Sequence, residues 1–211
     1  MQKEELLFQL TSIDRLLTDG SENRAKFFDR VGCFYSPTGR RYLLIRKAYE
    51  FAKNAHRGRL RHSGEREFEH LRGVALILMD ECGIYDYRLL CVALLHDVLE
   101  DTDCTIEQLT RNFPPEIANA VHRMSNTADN WSDNLAFHTS FLDAPFLVAA
   151  PKLADRLFNM RTLETLDRTR QARKIKDTRS IYLPLANMHG LLEEELRLAV
   201  TASEHRLGKY E

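Results

Sequence analysis

Apolar residues recur along this chain at spacings of three and four, and strict apolar–polar alternation is absent. That period places them on one face of successive helices and predicts an all-α chain. A first amphipathic helix is expected over Gln2–Leu17, with Leu6, Leu7, Phe8, Leu10, Ile13 and Leu16 set among Lys3, Glu4, Glu5, Asp14 and Arg15. After a short helical stretch and the loop Ser36-Pro37-Thr38-Gly39, the spacing predicts a helix over Arg41–His56 that stops at Gly58. A polar, basic segment over Arg59–Glu67 leads to a helix from Phe68 to Cys82, with His70 in its first turn. The next helix is Asp86–Leu99, and Thr105 caps the one after the Asp101–Asp103 loop. Pro114-Pro115 opens Glu116–Ser125. Asn126–Asn134 reads as loop, followed by helices over Leu135–Leu142 and Pro145–Leu166, the second kinked or divided at Pro151. Two helices, Arg170–Met188 and Leu191–His205, flank Gly190.

The chain has 211 residues, only 9 glycines and 6 prolines, and no repeat or low-complexity tract, so one all-α domain over 1–211 is the economical reading. A net charge of −1 argues against a nucleic-acid partner, while leaving room for a local basic cluster that holds a small anion. The 4 cysteines (Cys33, Cys82, Cys91, Cys104) form no CxxC pair, which argues against a structural zinc site or a disulfide framework and fits a cytoplasmic protein. No secretory signal stands out, and the longest apolar run, Val74–Met79, is far short of the ~20 residues that span a bilayer.

One stretch is chemically dense. In Leu94-Leu95-His96-Asp97-Val98-Leu99-Glu100-Asp101-Thr102, His96 and Glu100 stand one helical turn apart, as do Asp97 and Asp101. On an uninterrupted helix all four face one side. Three carboxylates near a helix C-terminus repel one another and oppose the dipole, a conflict that a divalent cation removes. Asp155, framed by Leu153, Ala154 and Leu157, is drawn toward a core where an unpaired carboxylate is costly. It either joins a metal set or pairs with Arg156 or Arg161. His70 either lies on the surface or points inward with the apolar face of its helix. Imidazole with carboxylate suits Mn²⁺, Fe²⁺ or Zn²⁺ better than Ca²⁺.

Arg61-His62-Ser63-Gly64-Glu65, His70, the Ala93–Thr102 stretch, Lys152–Leu163 and Ile181–Ala186 together resemble the hydrolase domain of the Rel/Spo homologue family, in order from about Tyr42 to Gly190. The resemblance implies an HD-domain helical bundle of about ten helices. It implies Mn²⁺-dependent removal of the 3′-diphosphate from (p)ppGpp, the alarmone of the stringent response, giving GDP or GTP and pyrophosphate. By position, His70, His96, Asp97 and Asp155 match the metal ligands, and Glu100 and Asp101 the acidic pair that activates water. Arg61, His62 and Ser63 match the nucleotide-binding segment, and Asn159 and Thr162 the nucleoside pocket. Lys53, Arg57 and Arg59 are candidates for the 5′ phosphates. The chain stops where bifunctional members continue into a synthetase domain, so it resembles a stand-alone small alarmone hydrolase.

Four departures stand out. His62 replaces a lysine, and Arg66-Glu67-Phe68-Glu69-His70-Leu71 replaces a Pro-Tyr-Ile-Ile-His-Pro type segment. Phe158 replaces a His or Tyr, and His122–Asn126 replaces a Val-Thr-Lys stretch. Two other readings therefore stand beside the first. One is an HD phosphohydrolase for another nucleotide, such as (p)ppApp or NADPH. The other is a non-catalytic alarmone-binding protein. None of these involves a membrane or nucleic-acid partner, and the oligomeric state is open.

Overall fold

The computed structural model describes residues 20–61, 63–126 and 134–208. The helix expected over Gln2–Leu17 and most of the Asn126–Asn134 loop lie outside the described residues, as does His62. The helices are α1 (Gly20–Gly32), α2 (Arg40–Ala55), α3 (Glu67–Leu76), α4 (Tyr87–Leu95), α5 (Val98–Asp101) and α6 (Ile106–Asn112). They continue with α7 (Pro115–Met124), α8 (Asn134–Thr139), α9 (Phe146–Arg161), α10 (Arg168–Asp177), α11 (Leu183–His189) and α12 (Glu193–Gly208). Among the described residues the only β-type pairing noted outside a strand is the bridge between Leu60 and Arg66, which closes the turn at Ser63-Gly64. No described helix is long and apolar enough to cross a membrane.

The centre of the fold is α4. Every residue from Leu89 to Leu95 is buried, because Leu-Leu-Cys-Val-Ala-Leu-Leu is apolar on all sides. Helices α2, α3, α7 and α9 pack around it. Local chemistry sets several boundaries. The Asp86 carboxylate accepts from Arg88 N at 2.8 Å and starts α4. Thr105 and Gln108 form a reciprocal capping box at α6, as the sequence predicts. Gly190 ends α11 at φ 60°, in the left-handed region where a side chain is strained.

The structure corrects the sequence reading in two places and refines it in a third. The helix expected over Asp86–Leu99 is interrupted at His96 and Asp97, and Asp97 has φ −99° and ψ 0°. Pro151 does not divide its helix, since α9 runs unbroken from Phe146 to Arg161. Proline there removes only the bond to Leu147, in the first turn, and the residues from Val148 to Phe158 are all buried. The helix over Arg170–Met188 exists as a continuous run, with a wide π turn at Thr178–Tyr182 joining α10 to α11.

One close approach positions the site. At Gly73 in α3, a Cβ would overlap the ring of Phe158 on α9. Phe158 is held in turn against His70, with ring centroids 4.8 Å apart. Gly73→Ala is expected to force this ring aside and cost about 1–3 kcal/mol, the usual scale for overpacking a core. Urea unfolding measures it, and an unchanged midpoint would contradict the close α3–α9 contact.

Candidate metal centre

Three segments bring the chemistry together. His70 comes from the first turn of α3 and is 2% exposed. His96 and Asp97 come from the break between α4 and α5, and Asp155 comes from the middle of α9. His96 Nε2 lies 3.1 Å from Asp97 Oδ2 and 3.7 Å from Asp155 Oδ1. His70 Nε2 lies 3.2 Å from Asp155 Oδ1 and 3.6 Å from Asp97 Oδ2. Two imidazoles and two carboxylates therefore converge on one point.

The hydrogen bonding of His96 tests whether a cation suits that point. Its Nδ1 donates to the Ala93 carbonyl at 2.8 Å, which fixes the ring with Nε2 aimed at Asp97 and Asp155. That Nε2 is buried and makes no hydrogen bond among the described residues, although two carboxylates face it. Facing two carboxylates, that nitrogen needs a positive charge beside it, and a divalent cation in place of a proton would bond both imidazoles and both acids. The donor set of two nitrogens and two oxygens fits a first-row divalent metal. Its protons follow the same electrostatics. Burial opposes a charge on His96, but Asp97 and Asp155 outweigh it and push its pKa up to about 9. Burial also opposes a charge on Asp97, yet His96 and His70 hold it down to about 2. His70 itself is pushed down to about 4 by burial.

Asp155 is held from both sides along α9. One turn before it, Lys152 Nζ lies 3.3 Å from Oδ2. One turn after it, Asn159 Nδ2 donates to Oδ1 at 2.5 Å. The pairings with Arg156 or Arg161 considered from sequence do not form. Arg156 stacks over Tyr182, 3.9 Å from the ring centroid, and Arg161 pairs with Glu81 at 2.6 Å. By residue type alone Lys152 reads as a surface residue. Its spacing of three from Asp155 was the available signal.

Glu100 and Asp101 part company after the break. Glu100 Oε2 accepts from Asn126 N at 3.1 Å, and burial raises its pKa. Asp101 instead joins Asp97 and Glu67, each with one carboxylate oxygen within 4.8 Å of the others. Burial, then Asp97 and Glu67, push its pKa up to about 7. The expectation of one shared helix face is therefore replaced by two directions. Glu67 ends a polar, basic segment, and nothing local in the sequence marks it as a site residue.

Arg61 leaves its turn to donate from Nη2 to Asn159 Oδ1 at 3.0 Å, with its guanidinium 5.7 Å from the Phe158 ring centroid. A cavity of about 430 Å³ opens beside it, lined by Arg59, Arg61, Glu67, Asp101, Thr165 and Leu166 among others. Ser63 is exposed on the turn, and Thr162 bonds its own helix through Phe158 O at 3.2 Å. The far wall is thus made by Thr165 and Leu166, just beyond Thr162. Of the three candidates for 5′ phosphates, Arg59 alone lines this cavity.

A family profile described as HD domain matches residues 48–133, which include His70, His96 and Asp97. A Synechocystis protein named "Probable guanosine-3′,5′-bis(diphosphate) 3′-pyrophosphohydrolase" is 36% identical over 158 residues, covering 71% of this chain and 20% of that protein. The Escherichia coli K12 protein named "Bifunctional (p)ppGpp synthase/hydrolase SpoT" is 35% identical over 155 residues, covering 70% of this chain and 22% of its own length. The chain thus spans about a fifth of the length of these curated relatives. A solved structure of a metazoan SpoT ortholog, described as hydrolysing ppGpp, superposes with a TM-score of 0.67 at 23% identity, covering 75% of this chain and 94% of that one. At that identity the likeness speaks for the fold.

Proposed function

This chain belongs to the HD-domain hydrolases of the Rel/Spo homologue family, and on that premise we propose that it removes the 3′-diphosphate of (p)ppGpp, giving GDP or GTP and pyrophosphate. The observation that carries the reading is the convergence of His70, His96, Asp97 and Asp155 beside the cavity edged by Arg61. A divalent cation held by those four residues, Mn²⁺ in this reading, would neutralise phosphate charge and bring the pKa of a bound water toward neutrality.

The chain's own residues then divide the remaining work. Arg61 offers a flat, permanently charged guanidinium to stack on a purine, steadied by Phe158 and Asn159. Water attacks the phosphorus joined to the ribose 3′ oxygen. Its proton passes to Asp101, whose pKa near 7 suits proton exchange at neutral pH, with Glu100 as the neighbouring acid. The bond from phosphorus to the 3′ oxygen breaks, that oxygen takes a proton, and pyrophosphate departs with the water oxygen. The four cysteines are unpaired, which fits work in a reducing cytosol.

The test is incubation of the chain with (p)ppGpp and Mn²⁺, followed by product analysis. GDP or GTP with equimolar pyrophosphate is expected. Release of single phosphates would reject the assignment, and so would nucleotide binding with no turnover. Running (p)ppApp and NADPH in the same panel identifies a different nucleotide preference.

A further inference from the structure

Glu67 has no part in the reaction described above, and its protein surroundings do not account for it. It opens α3, three residues before His70, in the segment that departs from the family pattern. Its backbone N–H donates to Arg59 O at 3.1 Å, which pins it across the turn. The cations nearest in sequence are committed elsewhere. Arg66 and Arg72 both pair with Glu69, and Arg61 donates to Asn159. A carboxylate in the first turn of a helix gains from the dipole, but Glu69 already supplies one there.

Two observations place the Glu67 carboxylate in the substrate site. One of its oxygens lies within 4.8 Å of one from Asp97 and one from Asp101. Glu67 also lines the cavity of about 430 Å³ that Arg61 edges. It therefore stands between the metal centre and the chamber for the nucleoside. A carboxylate in the wall of a site for a polyanion repels every phosphate. It suits only a part of the substrate that offers a proton, and the nucleoside has two such parts, the ribose hydroxyl and the purine edge. With the base against Arg61 and the scissile phosphorus at the metal centre, the ribose lies between them. Its 2′-hydroxyl is on the carbon next to the one that bears the scissile oxygen. The purine edge is the donor farther from Asp97.

We propose that Glu67 is a specificity-determining residue whose carboxylate accepts a hydrogen bond from the ribose 2′-hydroxyl, selecting ribonucleotides over their 2′-deoxy counterparts. The position of the sugar rests on the hydrolase reading. An acidic side chain takes the same hydroxyl in dinucleotide-binding folds, where the chemistry is again one charged acceptor for one sugar proton. A 2′-deoxy sugar offers no proton at that position, so it desolvates Glu67 and gives nothing in return.

The experiment is a cycle that removes the hydroxyl from the substrate and the acid from the protein. Turnover of ppGpp and of its 2′-deoxy analogue is measured with Mn²⁺ on the full chain, on Glu67→Leu and on Glu67→Gln. The unaltered chain should favour the ribose form in kcat/KM by about 10- to 100-fold, the scale of a hydrogen bond to a charged acceptor. Glu67→Leu should bring that ratio to within about twofold of one. Glu67→Gln keeps an acceptor oxygen and should hold an intermediate ratio. General damage to the fold or to metal binding slows both substrates alike and leaves the ratio in place. A ratio near one in the unaltered chain would overturn the assignment without any variant, as would the same ratio in the unaltered chain and Glu67→Leu. Calorimetric titration of GDP and 2′-deoxy-GDP separates this contact from the reading it rests on. No alarmone turnover, with GDP preferred through Glu67, would reject the hydrolase reading and keep the sugar contact. No turnover with equal or absent binding of the two would overturn both.

Discussion

Asp97→Ala is expected to lose measurable Mn²⁺ affinity and to reduce pyrophosphate release by about a thousandfold or more, beyond the ~10–100-fold typical of outer-shell partners. Asp97, like Asp155, touches both imidazoles, with Oδ2 at 3.1 Å from His96 Nε2 and 3.6 Å from His70 Nε2. Its removal leaves two facing imidazoles and a single acid. Glu100→Ala should behave differently, because its carboxylate accepts from Asn126 N and is not one of the acids paired with the two imidazoles. It should retain the metal while turnover falls about 10²–10⁴-fold, the usual scale for general acid–base groups. Metal content by elemental analysis, set beside turnover, separates the two. Equal metal loss in both variants would contradict this division of labour.

Arg72→Leu is expected to cost about 3–5 kcal/mol of stability, the scale for stripping one partner from a buried ion pair. Arg72 is 1% exposed and pairs with Glu69, itself 5% exposed. Removing the guanidinium strands the Glu69 carboxylate, with exposed Arg66 at 2.5 Å as its remaining cation. The double variant Glu69→Ile with Arg72→Leu should recover most of the loss, since two apolar groups of similar volume need no pairing. Urea unfolding of the single and double variants decides the matter. A double variant no more stable than Arg72→Leu would show that the pair is not what the single change disrupts.

Helical periodicity carried most of the architecture, because the apolar stripe, the Thr105 cap and the Pro115 start are written in local residues. The meeting of His70, His96, Asp97 and Asp155 was also anticipated, through motif order and resemblance. What local sequence lacks is the cause of the break at His96. No glycine or proline marks it, and an internal bond from His96 Nδ1 to Ala93 O accompanies it. Burial of charge was equally hidden. Arg72, Glu69 and Lys152 read as surface residues by type, and only their partners across the fold make them core residues.

The donors of the metal centre come from α3, from the turn after α4, and from α9, which arrives late in the chain. No shorter stretch holds more than a fragment of the set, so high-affinity metal capture has to wait for the longest-range contacts to form. A nascent chain that has not yet completed α9 would carry His70, His96 and Asp97 without a fourth ligand. Metal uptake should therefore trail the gain of helical signal during refolding, making the cation a clock for the last stage of assembly.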